Sequence, residues 1–141
     1  MLSLKQTEEV RKLNTSGSGK IKGLNTIKAD RLEIETSGSS DVDLNLEAMY
    51  LKTESSGSSD IRLRGIADIH EFEVSGSGDL YAFDLVSKNV RIRISGSGQA
   101  WVSVSDTLNL QLSGNGRVLY KGDPVKVTQE ISGSGTIEKV E

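Results

Sequence analysis

Ser75-Gly76-Ser77-Gly78-Asp79-Leu80-Tyr81-Ala82 decides how this chain folds, because its opening four residues, read as Ser-Gly-Ser/Asn-Gly/Ser, occur seven times. The first serines are Ser16, Ser37, Ser56, Ser75, Ser95, Ser113 and Ser132, spaced 21, 19, 19, 20, 18 and 19 residues apart. A period near 19 held across 141 residues is an internal repeat, and a repeat has to be recognised before any single element is assigned. Twelve of the fifteen glycines lie inside these motifs, so glycine is punctuation here and not a flexible linker.

With the first serine counted as position zero, position +1 is always glycine, which points to a backbone angle or a closeness of approach that a Cβ would forbid. Position +5 is always apolar: Ile21, Val42, Ile61, Leu80, Ala100, Val118 and Ile137. Position +7 is mostly apolar, and polar residues lie between, which is the period-two alternation of a half-buried strand. The stretch before each corner alternates too, as in Val90-Arg91-Ile92-Arg93-Ile94 and Leu108-Asn109-Leu110-Gln111-Leu112. Each repeat therefore holds two strand segments around a Ser-Gly corner. Residues Gln6 to Leu13 have a weak helical period, but Leu13 and Thr15 fall at −3 and −1, so the segment reads as part of an incomplete first rung.

A unit of this length is too short for a propeller blade, which needs about 40–50 residues. It fits one turn of a solenoid whose strands pair with their counterparts one turn away, at about 4.8 Å. The expected architecture is all-β: a single-stranded β-solenoid (a β-helix) of about seven rungs, one domain over residues 1–141, right-handed by the general preference for parallel connections. An antiparallel meander would also give two strands per repeat. Hairpin loops tolerate varied sequences, however, whereas near-identical corners suit a stack. Stacked serines at 0 and +2 are expected to form hydroxyl ladders. Position −4 reads Glu33, Lys52, Glu71, Arg91, so opposite charges are expected one above another.

Composition excludes several functions. The apolar fraction is 35% and aromatics make up 4%, which leaves a thin conventional core. Net charge is −3 with both signs interspersed, and no basic stripe marks a nucleic-acid partner. There is no cysteine, hence no disulfide and no thiolate metal site. No apolar run approaches the ~20 residues of a membrane span.

The repeats Ser-Gly-Ser-Gly-Asp-Leu and Ala29-Asp30-Arg31-Leu32-Glu33-Ile34-Glu35, with the closing Tyr120-Lys121-Gly122-Asp123-Pro124, resemble the autotransporter adhesin head domain (the GIN domain, also called DUF2807) of Bacteroidetes-type bacteria. The resemblance runs from about Thr15 to Glu141. It implies a β-solenoid fold, an adhesin-like role without a catalytic motif, and a place outside the cytoplasm, at the cell surface or in the periplasm. Members carry an export signal and a further N-terminal β-region. Neither stands in this sequence, so the chain is expected to be a fragment of a longer solenoid. Leu2 and Leu4 fit +5 and +7 of a rung whose corner precedes Met1, and Ile137 stands at +5 near the other end. Open ends of this kind also suit an end-to-end oligomer.

Four candidate features follow. His70, the only histidine, falls at −5 among apolar equivalents and reads as a core or wall residue, with no partner group for nucleophilic catalysis. Asp41, Asp60 and Asp79 share +4 and would stack as a column, a weak Ca²⁺ candidate against the reading of a solvated turn position. Tyr81 and Trp101 at +6, with Leu119 on the next rung and Phe83 at +8, would make an outward patch more apolar than solvent prefers. That patch reads as a protein interface or covered surface, or as a platform for a surface glycan, and it admits a wall-mediated homo-oligomer. The leading expectation is a non-enzymatic adhesin-like scaffold. The alternatives are a carbohydrate-binding or degenerate glycan-active β-helix and a filament-forming structural protein.

Overall fold

The computed structural model describes residues 7–23 and 26–140, and these contain ten strands and no helix. The strands are β1 (Thr7–Thr15), β2 (Lys20–Lys22), β3 (Ile27–Gly38), β4 (Asp41–Gly57), β5 (Asp60–Gly76), β6 (Asp79–Gly96), β7 (Gln99–Gly114), β8 (Arg117–Lys121), β9 (Lys126–Gly133) and β10 (Thr136–Lys139). All pairings are parallel and join each rung to the next, in the order β1-β3-β4-β5-β6-β7-β8-β10, with β2 on β4 and β9 on β7. Ile61 lies opposite Val42 on one side and Leu80 on the other. Parallel pairing at this separation is a solenoid of about seven turns and rules out the antiparallel meander. The segment ending at Leu13 is indeed a rung, since β1 pairs with β3 along its length. Leu2 and Leu4 lie outside the described residues.

The corners explain the invariant glycine. All seven +1 glycines have φ between 74° and 120°, a region that L side chains rarely adopt. From Gly38 onward, a Cβ there would also stand 2.5–2.8 Å from the carbonyl oxygen of the corner glycine one rung below. That oxygen is in use: Ser39 N–H donates to the Gly17 carbonyl at 2.8 Å, Ser58 to Gly38 at 2.9 Å and Ser77 to Gly57 at 3.0 Å. A second row follows two residues on, with Asp60 donating to Ser40 at 3.0 Å and Asp79 to Ser59 at 2.8 Å. The backbone ladder thus runs around the corner unbroken. This corrects the expected serine hydroxyl ladder: among the described residues no serine hydroxyl bonds to another, and the corner hydroxyl that bonds is Ser40 Oγ, to its own turn's Ser37 carbonyl at 3.1 Å.

Inside, equivalent positions form columns. Leu32, Leu51, His70, Val90 and Leu108 make one, and Ile34, Thr53, Phe72, Ile92 and Leu110 the next, all buried. Each fully buried aliphatic or Phe side chain contributes roughly 1.5–3 kcal/mol. The later corners add a packing contact: glycine at +3 faces the −1 side chain of the rung before, Gly98 against Val74, Gly116 against Ile94 and Gly135 against Leu112. The −1 side chain occupies the space of the missing Cβ: one built at Gly116 would meet Ile94 Cγ2 at 2.8 Å, and one at Gly98 would meet Val74 Cγ1 at 2.9 Å.

His70 is 1% exposed and sits between Leu51 and Val90 in its column. Its Nε2 has no hydrogen-bond partner, and burial lowers its pKa to about 4. It is a neutral core residue, as its column position suggested.

On the surface the charge columns form in part. Arg91 reaches Glu71 at 4.0 Å and Arg93 reaches Glu73 at 3.8 Å across rungs. Lys52 instead turns to Glu54 on its own strand at 2.9 Å, because a neighbour two residues along shares its face.

Candidate functional site

One rung departs from the repeat. The register of β6 on β5 runs to Arg62 opposite Tyr81 and resumes with Gly65 opposite Leu85, so β6 carries one residue more over that span. On its other side β6 keeps step with β7 to Ala82 opposite Val102, then slips before Val86 and again before Asn89. Such bulges re-aim side chains and recur beside functional sites. Gly65, where the register resumes, has φ 124°, and a Cβ there would overlap the Leu46 carbonyl of the rung before.

Against this bulge lies a groove of about 350 Å³, lined by Tyr81, Trp101 and Phe83, by Leu63, and by Arg62, Arg64 and Asp84. The size is in the range of small-ligand pockets. Parallel pairing sets Tyr81 opposite Trp101 and Trp101 opposite Leu119. The two rings stack at 4.8 Å between centroids and 6° between planes. The Arg62 guanidinium lies 5.0 Å from the Tyr81 ring centre, and the Lys121 ammonium 4.4 Å from that of Phe83. Arg64 is held by Asp43 at 2.6 Å and donates to Asn45 Oδ1 at 3.0 Å. Burial, then Asp79 and Asp60, push the Tyr81 hydroxyl up against the opposing pull of Arg62, so it stays a protonated donor at neutral pH.

The four residues of the sequence-derived patch come together unequally. Tyr81, Trp101 and Leu119 form one outward column. Phe83 stands at the bulge, half-buried, and joins the groove wall; Leu119 is half-buried beyond Trp101 and outside the groove lining. Sequence reasoning missed Arg62, Arg64 and Asp84. It also missed the exposed Met49, Ile66, Ile69 and Val86, which fall in the variable segment where no alternation guides the eye. The signal for Arg62 was present, since it occupies +6 one rung before Tyr81.

Asp41, Asp60 and Asp79 do stack in register. Burial and then the charge of Asp60 raise the Asp79 carboxyl, opposed by the backbone amide of Gln99. No group of three histidine, aspartate or glutamate side chains among the described residues is placed to hold a metal ion. A larger trough of about 600 Å³ runs along the serine corner between Ser37, Ser56 and Ser75 and Glu35, Glu54 and Glu73. Its carboxylates already face cations: Lys12 to Glu35 at 3.2 Å, Lys52 to Glu54 and Arg93 to Glu73.

Comparison with known proteins agrees with this architecture. The family described as "Putative auto-transporter adhesin, head GIN domain" matches residues 6–124. A "putative adhesin" from Parabacteroides distasonis ATCC 8503 superposes with a TM-score of 0.92 at 29% identity, over 95% of this chain and 57% of its own. A "putative lipid binding protein" from the same organism gives 0.82 at 29% identity, over 96% and 56%. A "putative adhesin" from Parabacteroides merdae ATCC 43184 gives 0.90 at 25% identity, over 96% and 57%. The chain therefore spans little more than half the length of these relatives. No curated protein matches it.

Proposed function

We propose, for a chain that belongs to the auto-transporter adhesin head (GIN) domain family, a non-enzymatic adhesive scaffold displayed outside the cytoplasm that binds its partner at the groove beside the β6 bulge. The family and its solved relatives support adhesion over catalysis. The observation that carries the site is a coincidence: the rung that breaks the repeat is the rung that bears Tyr81 and opens the groove. A solenoid gains nothing in its own pairing from a bulge, which leaves backbone groups off the ladder. Half-buried aromatic rings with a few polar groups around them are the usual makings of a recognition surface.

The test compares wild type with Trp101→Ala for retention on intact bacterial cells and on a glycan array. Trp101 is half-buried on the outer face of its rung, so circular dichroism and thermal melting check that the variant keeps the fold. Loss of retention by about tenfold or more is the expected result. Equal retention of the two proteins refutes the groove.

A further inference from the structure

The chemistry around the groove also selects its occupant. Resting on the reading of the groove as the binding site, we infer that the partner is a protein that sets an apolar side chain against Phe83 and Val86 and a carboxylate against Arg62.

The ring faces are the first reason. A sugar that stacks on an aromatic residue needs an open face. Tyr81 has Trp101 on one side, and the Arg62 guanidinium also lies on its ring; Phe83 carries the Lys121 ammonium. The groove therefore offers little open ring face at Tyr81 and has its floor at Leu63, which suits a branched or aromatic side chain inserted between the rings.

The apolar surface does not stop at the groove. Just past the bulge, Ile66 and Val86 lie opposite each other on neighbouring rungs, 52% and 55% exposed. Met49 and Ile69 on β4 and β5 are 61% and 41% exposed. Ile66, Ile69 and Val86 thus stand on β5 and β6, two of the rungs that line the groove, with Met49 on the adjoining β4, and together they leave further apolar surface to water past the bulge. A protein interface has this composition, an apolar centre with arginine at its edge.

Charge supplies the last element. Arg64 is neutralised by Asp43, whereas Arg62 has no carboxylate partner among the described residues. Asp84 lines the same groove with the opposite sign. The complement is one acid at a defined place, which a peptide or protein surface provides and a uniform polyanion does not.

Immobilised wild-type protein is panned with a random dodecapeptide library on phage and, in parallel, probed with a glycan array. Arg62→Glu, Val86→Asp and Trp101→Ala are carried through both arms. Arg62 and Val86 are exposed, so their substitutions leave the core intact, and circular dichroism checks it. The inference expects enriched peptides that share an apolar residue beside an acidic one and that bind Arg62→Glu and Val86→Asp about tenfold or more weakly. Failure to enrich a peptide, or peptides indifferent to both substitutions, overturns it. Glycan retention that Trp101→Ala abolishes would keep the groove and replace the partner class. Retention in either arm that ignores Trp101 would remove the groove itself.

Discussion

Lowering the pH from 7.5 to 5 should cost this fold about 2 kcal/mol at one side chain, His70. The imidazole is buried between Leu51 and Val90, its Nε2 unpartnered, and burial alone lowers its pKa from 6.5 to about 4. The unfolded chain takes up a proton as the pH falls below 6.5; the folded chain does not until about 4. Stability is therefore lost progressively between those two values and levels off below the lower one. A gap of about 2.5 units corresponds to roughly 3 kcal/mol in full, of which about 2 kcal/mol has gone by pH 5. Leucine is the natural replacement, because the column already holds Leu32, Leu51 and Leu108. Urea denaturation of wild type and His70→Leu at pH 7.5, 6 and 5 reads the difference directly, and subtraction removes the carboxylates common to both. The two stabilities should diverge by about 2 kcal/mol as the pH falls, wild type losing more. Parallel pH profiles would show that His70 is not a desolvated neutral core residue, and the placement of its column would be wrong.

Other consequences follow from the same packing. Gly76→Ala should cost about 3 kcal/mol or more, since it adds strain at φ 114° to a Cβ 2.8 Å from the Gly57 carbonyl; thermal denaturation measures it. Gly116→Ala should cost about 1–3 kcal/mol alone, and less in an Ile94→Ala background, where Cγ2 no longer fills the site; a double-mutant cycle should give about 1 kcal/mol of coupling. Lys52→Ala should change stability by less than about 1 kcal/mol, since its pair with Glu54 is partly exposed, and urea midpoints at low and high salt test it.

The corner and its glycine were readable because a backbone constraint repeated on every rung leaves the same letter each time. The neighbourhood of Tyr81 and Trp101 was readable for the same reason, since two aromatics at +6 on successive rungs must meet once the rungs stack. The serine hydroxyl ladder was misread because backbone amides at +2 and +4 already take the corner carbonyls, and sequence does not say which donor wins. The packing of Ile94 against Gly116 stood in the sequence as a choice between Ser and Gly at +3. It needed a second position, −1, to give it meaning. The bulge was marked only by the spacing of 20 from Ser75 to Ser95, and a spacing does not tell on which wall the extra residue emerges. Ile66 and Val86 were hidden with it.

The single tryptophan allows the most direct test of the whole account. A nuclear Overhauser spectrum of the wild-type protein should show strong contacts from the Trp101 indole protons to the Tyr81 ring and to the Leu119 methyls, residues 20 and 18 positions away in the chain. An indole that touches neither would contradict the stacking of the rungs, and the groove built on it would fall too.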